Sequence, residues 1–480
     1  MPRPAVALTV LAALLRLPTL GAQSLWLDET LTGRLARGGL RELFERVAAE
    51  EANPPLYYVV EWLWCKLAGT SEVALRLPSA LCGIALVPVA YLIGERLASR
   101  RTGYALAALV AVNPLLVYYS QEARGYSAVA LLCGLSLLFC LDALQGRGRS
   151  ALMWWALTSA LALGVHYFAV FPIALEALVL LVRLRRGALS ALASVGLAGI
   201  ALASLLLHQR GGSTADNVTA GVGLAERAKG AVTSWLVGER GAAIANLEWV
   251  IGALLVLAVG LLALRATREE RRAAGLVAAI GGGALALVLL AALAGADYVN
   301  SRNTLPLLVA LLAVPAVGLG ARAAGRLGGG LAVAVCAAML AAVVSAGLDE
   351  DHARHDWRGV ARELGAAPPG GRMVVVAPSA NALPMTWYRP QLARVGPAGA
   401  RVAEIAIVLT DTERDPLPPQ ALAESPDPRF APSGVQRHQR MLIARYRAPA
   451  PQRVTPDTVS RWTVERLGPR ASDTAVLAEK

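Results

Sequence analysis

Cysteine and charged residues are scarce in this chain, and each scarcity excludes a class of protein. The 480 residues include five cysteines, which lie mostly inside apolar runs and form neither a CxxC pair nor a disulfide framework. Charged residues make up 17% of the chain, hydrophobic residues make up 56%, and the mean hydropathy is +0.51. This composition is too apolar for an ordinary soluble protein.

Other features are also lacking. The first apolar segment, 5–20, resembles a signal peptide, but no convincing cleavage site follows it, so we interpret it as an uncleaved span. There is no internal repeat. The net charge of +12 does not indicate nucleic-acid binding, because the arginines lie between apolar runs, where the positive-inside bias places them.

Apolar runs of membrane length dominate what is present. Crossing a bilayer takes roughly 20 apolar residues, and about eleven runs approach that length. They cover 5–20, 74–95, 103–119, 125–144, 151–165, 168–183, 188–207, 243–264, 273–295, 304–320 and 329–347. We predict a polytopic α-helical membrane protein, with residues 1–348 as its membrane domain.

Arginine in the short loops predicts the orientation. One set of loops is dense in arginine and is expected to face the cytoplasm. The opposite side then receives the polar clusters, which are the first loop 21–72, Ser120–Arg124, His166, 208–242, Asp297–Arg302 and all residues after Leu348. Such convergence on one side predicts an extracytoplasmic site.

The tail, 349–480, is rich in proline and charge and has no run of membrane length. Met373–Ala377, Glu404–Leu409 and Met441–Ala444 have the apolar character of strands, and Asp356–Leu364 has a shared apolar face typical of a helix. We predict a small extracytoplasmic α/β domain whose last thirty or so residues are loosely ordered.

Acidic and aromatic residues mark both ends of the first loop. Asp28 and Glu29 follow the first span, and a carboxylate can take the proton of an acceptor hydroxyl during glycosyl transfer. Acids also favour a first helical turn, which is the structural alternative. Glu51 precedes a double proline followed by Tyr57 and Tyr58, a pattern typical of a loop-to-helix junction in the membrane interface.

Charged and imidazole groups occupy further loops on the same predicted side. Arg124 offers a planar fork suited to phosphate, and Glu122 can orient it. His166 and Arg302 each lie at the end of a span. The structural alternatives are an interfacial ion pair, a satisfied histidine and an arginine that snorkels to the interface.

Together these motifs resemble the GT-C glycosyltransferases. The nearest type is family 39, which includes protein mannosyltransferases and, more distantly, lipid A aminoarabinose transferases. The matching stretches are LWLDET (25–30), PPLYY (54–58), SEVALRLPSALCGIALVPVAYLIGERL (71–97), NPLLVYYSQEARGYS (113–127), HYF (166–168), SRNTLPLL (301–308) and DWRGVARELG (356–365). Two positions depart from the pattern: Asn53 replaces a frequent His or Lys, and Asn303 follows Arg302 where Tyr is common.

The resemblance implies transfer of a sugar from a polyprenyl-phosphate donor to an extracytoplasmic protein, lipid or glycan. Asp28, with Glu29, would be the base or acceptor-orienting acid. His166 and Glu51 would form a divalent-metal or phosphate-organising site, although no cofactor is certain. The residues assigned to substrate binding are Tyr57, Tyr58, Glu122, Arg124, Tyr167 and Arg302.

The expected location is a bacterial inner membrane, since a chain rich in Ala, Arg and Gly is typical of a high-GC bacterium. Two other functions stay open. A transporter or flippase of lipid-linked sugars would need ionisable residues deep in its spans, of which Glu176 is the clearest candidate. An inactive scaffold would use its exported tail to bind a partner. Acids at the outer ends of the spans favour the enzyme.

Overall fold

The computed structural model describes residues 1–147, 149–210, 222–349, 352–410, 419–467 and 473–479. The chain divides into two compact units. The first unit holds Met1–Leu20 and Thr32–His352, and the second holds Gly21–Leu31 and Ala353–Lys480. The start of the first loop, which the sequence assigned to the membrane domain, therefore packs with the second unit.

Helices build the first unit, and one of them, α2, continues from the second unit into the first. They are α1 (Arg3–Arg16), α2 (Leu27–Arg37), α3 (Leu40–Glu50), α4 (Leu56–Ala68), α5 (Glu72–Leu97), α6 (Arg100–Val112), α7 (Pro114–Ser120), α8 (Tyr126–Leu144), α9 (Arg149–Val165), α10 (Val170–Leu184), α11 (Leu189–Arg210), α12 (Leu224–Val237), α13 (Leu247–Arg265), α14 (Arg268–Leu293), α15 (Leu305–Gly320) and α16 (Gly325–Leu348).

The predicted fold class is confirmed, and each predicted span overlaps one of these helices, except that 103–119 covers both α6 and α7. Among the described residues, seven helices are long and apolar enough to cross a membrane, or up to eight if the bent pair α6 and α7 forms one span. One of the seven, Tyr167–Gln209, is 43 residues long and contains α10 and α11. A straight helix of that length would reach about 65 Å, twice a bilayer core. The count of eleven stays a prediction.

The break between α6 and α7 sets the direction of α7, which leads into loop 121–125 at the candidate site. Pro114 has no amide hydrogen, and the two helices meet at an angle of 56°. Asn113 caps α7, since its Oδ1 accepts a hydrogen bond from the Leu116 amide at 3.0 Å. The bend is thus encoded by the Asn-Pro pair itself.

Arg16 of α1 donates hydrogen bonds to residues on both sides of this break. Its side chain is fully buried and donates to the carbonyl oxygens of Val110 (3.4 Å) and Ala111 (2.9 Å). It also donates to Ser120 Oγ at 3.1 Å. Gly83 of α5 permits this close packing, because a Cβ there would collide with the Ser120 side chain. Loop 121–125 therefore begins at a fixed point.

The second unit is a six-stranded sheet in the order β2-β6-β1-β3-β5-β4, in which β1 and β3 are parallel and the other neighbours are antiparallel. Its strands are β1 (Arg372–Ala377), β2 (Ala393–Arg394), β3 (Ala400–Thr410), β4 (Ala431–His438), β5 (Met441–Val454) and β6 (Ala475–Glu479). Its helices are α17 (Trp357–Glu363), α18 (Ala382–Tyr388) and α19 (Pro456–Leu467).

Helices cover both faces of this sheet. Val374 of β1 packs in one cluster with Trp357 of α17, and its neighbour Val375 packs in another with Val459 of α19. Alternate side chains of a strand point to opposite faces, so every residue of β1 is buried. The three predicted strands and the predicted helix over 356–364 are confirmed.

The end of the chain is more regular than its composition indicates. The last thirty or so residues, predicted to be loosely ordered, contain α19 and β6 in their described part. β6 lies inside the sheet, between β2 and β1. The buried Arg372 pairs with Glu479 of β6 at 2.8 Å and also with Glu404. Arg389 pairs with the same Glu479 at 2.7 Å.

Candidate functional site

A buried ion pair is the centre of the candidate site in the first unit. Glu51 is the C-cap residue directly after α3, and Arg124 lies in the loop between α7 and α8. Two hydrogen bonds join them, Nη1 to Oε1 at 2.7 Å and Nη2 to Oε2 at 3.0 Å. Both side chains are more than nine-tenths buried. This parallel fork is the strongest form of an arginine–carboxylate contact.

Two tyrosines of α4 surround the pair. The Arg124 guanidinium lies 5.5 Å from the ring centre of Tyr58, within cation–π range. The Tyr57 hydroxyl is 3.1 Å from Ser79 Oγ. The Ser79 hydroxyl in turn donates a hydrogen bond to the Arg124 carbonyl at 2.9 Å. Burial raises the pKa of Tyr57 and of Tyr58 well above their ordinary value. Both phenols therefore stay neutral.

These groups border a recess of about 200 Å³, part of it open to solvent. Gly125 allows its walls to approach each other, since a Cβ there would lie 2.9 Å from a methyl group of Val165. The lining residues are Asn53, Tyr57, Tyr58, Arg124, Gly125, Tyr126, Val165 and His166. Segments far apart in the sequence thus meet at one place.

His166 is held neutral in this recess. Its Nδ1 accepts a hydrogen bond from the Phe168 amide at 3.2 Å, so Nε2 is the nitrogen that carries the proton. Burial, together with the positive charges of Arg124 and Arg302, lowers the pKa of His166 to about 3. The imidazole therefore acts as a neutral hydrogen-bond donor.

The predicted metal pair does not fit a divalent ion in this arrangement. Both carboxylate oxygens of Glu51 accept hydrogen bonds from Arg124. A metal on His166 Nε2 would require the tautomer that its bond with Phe168 disfavours. Among the described residues, no group of three or more His, Cys, Asp or Glu side chains could hold a metal ion. The metal site at His166 and Glu51 stays a prediction.

A second group of polar residues adjoins the recess through two tyrosines in edge-to-face contact. The rings of Tyr126 and Tyr119 lie 4.9 Å apart. Tyr119 bonds Glu239, which also accepts a hydrogen bond from Ser301, beside Arg302. Burial raises the pKa of Glu239, and the hydrogen bonds partly offset that effect. Arg302 therefore contributes its charge next to a carboxyl group that the sequence did not single out.

The remaining predicted contacts lie beside the recess. The Tyr167 hydroxyl donates to Gln209 at 2.7 Å, and Gln209 donates to the carbonyls of Val47 (2.9 Å) and Asn53 (3.1 Å). Gln209 thus ties α11 to the first loop, and Tyr167 bonds the same amide group. Glu122 is buried in the same loop as Arg124. The geometry assigns neither of them a substrate.

Glu61 of α4 is a further buried acid that the sequence reasoning missed. Its side chain is fully buried, it accepts a long hydrogen bond from Cys65 at 3.6 Å, and it also bonds the Tyr57 hydroxyl. Its Oε2 has no hydrogen-bond partner among the described residues. Burial raises the pKa of Glu61 to about 8. The signal available in the sequence was a single acid within an apolar run.

Asp28 and Glu29 belong to the second unit, in the first turn of α2. Glu29 is fully buried, and its Oε2 accepts hydrogen bonds from the Trp26 amide (3.4 Å) and from Arg354 (3.3 Å). The bond to the residue before the helix is half of a capping box. Asp28 is partly exposed. Of the two acids, Asp28 is therefore the one that solvent reaches.

Comparison with known proteins places this fold. Residues 52–208 match the family described as "Dolichyl-phosphate-mannose-protein mannosyltransferase". ArnT from Cupriavidus metallidurans in the apo state has a TM-score of 0.56 and 13% identity, and covers 92% of this chain and 97% of its own. The same protein bound to undecaprenyl phosphate has a TM-score of 0.53 and 14% identity over the same shares. No curated protein matches the sequence.

The class is therefore that of polytopic membrane proteins with the GT-C fold. Within that class, the resemblance to protein mannosyltransferases and to aminoarabinose transferases is confirmed. The match with the mannosyltransferase family covers 52–208, and this range contains the whole lining of the recess.

Proposed function

We propose that the protein is an integral membrane glycosyltransferase that moves a sugar from a polyprenyl-phosphate donor to an acceptor hydroxyl. The reaction would occur on the extracytoplasmic side of a bacterial inner membrane. The matching family is named for a lipid-phosphate mannose donor, and ArnT has been solved with undecaprenyl phosphate. Both names support a lipid phosphate as the leaving group here.

The observation that carries the proposal is the aromatic recess lined by Arg124, whose guanidinium is held in place by Glu51. When the bond between the sugar carbon and the phosphate oxygen breaks, negative charge grows on the departing phosphate. Fixed positive charge in a buried place stabilises that charge most strongly. The charges of Arg124 and Arg302 both act on His166, a neutral donor in the same recess. The neutral Tyr57 and Tyr58 add phenol groups there.

Asp28 is the proposed base. Its carboxylate would take the acceptor proton while the acceptor oxygen forms the new glycosidic bond, and the lipid phosphate leaves with the bonding electrons. General base catalysis of this kind contributes about 100- to 10,000-fold in rate. Its partial exposure suits this role better than the complete burial of Glu29.

A transfer assay tests the proposal. Full-length protein in nanodiscs is given a panel of radiolabelled polyprenyl-phosphate hexoses and pentoses, with a membrane extract as the acceptor source. Asp28→Asn and Arg124→Met should each lower the rate by about 100-fold or more. Arg96→Met is the matched control, because Arg96 pairs with Asp142 at 2.7 Å in the same unit but does not line the recess.

The outcomes of this assay distinguish the enzyme from the transporter and test the roles of Asp28 and Arg124. Label transfer that depends on both residues, and not on Arg96, supports the enzyme and names the sugar. Full transfer by Asp28→Asn and Arg124→Met at normal membrane abundance would overturn the proposed roles. Binding of a donor without transfer would favour the transporter.

A further inference from the structure

The buried pair between Glu29 and Arg354 links the proposed base to the C-terminal part of the chain. The Nη1 of Arg354 lies 3.3 Å from Glu29 Oε2, and the two side chains are 4% and 0% exposed. Removing one charge of a buried pair is costly, because the other charge stays buried without this partner. Glu29 is the residue next to Asp28 in the same helical turn.

The backbone just before Asp28 is also held by the C-terminal residues of the second unit. Ser24 Oγ donates to the His355 carbonyl at 2.9 Å and accepts a hydrogen bond from the Trp357 amide at 3.0 Å. The Leu25 amide donates to the Tyr388 hydroxyl at 2.6 Å. Ser24 and Leu25, which precede α2, are therefore held by hydrogen bonds within the second unit.

Further bonds complete this anchoring. Arg358 donates to the carbonyls of Gly21 (3.4 Å) and Ala22 (3.0 Å), and the Arg354 amide donates to Gln23 Oε1 at 3.3 Å. Residues 21–25 thus bond the C-terminal part of the unit at each successive position. A linker between two spans does not need contacts at this density.

We infer that Arg354 is a positioning residue for the transfer reaction. It fixes the Glu29 carboxylate, Glu29 caps the first turn of α2, and that turn sets the direction of Asp28. The inference rests on the proposed function of Asp28 as base. It makes the C-terminal unit part of the catalytic machinery, since the arginine that orders the base lies more than three hundred residues away in sequence.

The kinetic test compares variants of the full-length protein in nanodiscs, with a donor that the parent uses. Arg354→Met should lower kcat by about 10- to 100-fold and change KM for the donor by about twofold or less, because a base displaced by about 1 Å loses rate rather than donor binding. Arg354→Lys should retain more activity than Arg354→Met. The double variant with Glu29→Gln should recover at least part of the lost kcat, since the buried carboxylate that Arg354 compensates is removed together with the arginine.

Arg429→Met is the matched control. Arg429 pairs with the buried Asp427 at 2.6 Å in the same unit, so its loss leaves a buried acid without its arginine. The described hydrogen bonds of Arg429 go to Asp427 and Arg453 and not to 21–31. Its kcat per folded molecule should equal that of the parent. An Arg354→Met variant that keeps parental kcat, or a double variant no better than the single one, would overturn the inference.

Hydrogen exchange separates this inference from the proposed function. Arg354→Met should speed exchange of the α2 amides, whereas Arg429→Met should not. If the parent transfers no sugar, the function fails while this readout still tests the positioning. Unchanged exchange in α2 would refute the positioning role, whatever the transfer assay gives.

Discussion

Replacing Glu61 by glutamine should change stability in a way that depends on pH. Burial raises the pKa of Glu61 from its ordinary 4.5 to about 8. Below pH 4.5 the carboxyl group is protonated in both the folded and the unfolded chain. Between pH 4.5 and 8 the unfolded chain releases the proton and the folded chain keeps it. The free energy of unfolding therefore falls progressively as the pH rises through this window.

The size of the effect follows from the shift. Each unit of pKa corresponds to about 1.4 kcal/mol, so the loss reaches about 3 kcal/mol at pH 7 and about 5 kcal/mol above pH 8. Glutamine has the same shape and does not titrate. Any cost of burying its amide is independent of pH. The slope of the stability difference with pH, rather than its value at one pH, is the quantity that tests the burial of Glu61.

Thermal unfolding of purified protein in one detergent, from pH 5 to pH 8, measures that slope. The melting temperature of Glu61→Gln should rise relative to the parent at each step of pH. Glu45→Gln is the control, because Glu45 lies on the surface in an i,i+4 pair with Arg41. Its difference from the parent should stay nearly constant. A constant difference for Glu61→Gln would show that the carboxyl group is not held protonated by burial.

Three further predictions concern other buried ionisable side chains. Arg16→Met should lower the melting temperature and the transfer rate together, because Arg16 bonds Ser120 at the end of α7, directly before loop 121–125; a parental rate would show that the loop does not need this support. His166 should stay neutral, so the pH–rate profile between pH 5 and 7 should keep its shape in His166→Gln, and loss of a limb near pH 6 would contradict its low pKa. Glu479→Gln should cost about 3–5 kcal/mol, measured by denaturant unfolding, because the buried Arg372 loses a charged partner; a cost below about 1 kcal/mol would contradict this.

Four of the residues that line the recess, Tyr57, Tyr58, Arg124 and His166, were singled out from the sequence, but their partners were not predicted. The resemblance of the Pro-Pro-Leu-Tyr-Tyr motif to the family pattern indicated Tyr57 and Tyr58, and residue chemistry indicated Arg124. Glu51 was paired in the prediction with His166, but it bonds Arg124, which is 73 residues away in sequence. Helix packing decides such partners, and no local pattern carries that information.

The division of the chain was harder to predict for the same reason. Proline and charge content set the tail apart correctly as a region of strands and short helices. Nothing local to 21–31 indicates that it packs with residues after 353, because its anchors are backbone groups and single side chains such as Ser24. The regular end of the chain was missed because Ala475–Glu479 is a short strand after a charged, irregular composition.

The packing of 21–31 has a consequence for biosynthesis. Ser24 leaves the ribosome early, yet its partner His355 follows 331 residues later. At a usual rate of about 5–20 residues per second, the early segment waits roughly 15–70 s for its partners. The interior strand β6 lies later still, so the sheet cannot be completed until nearly the last described residues have been made. The proposed base would thus be ordered only after synthesis has passed all the membrane helices, and a chain interrupted earlier would insert without becoming an active transferase.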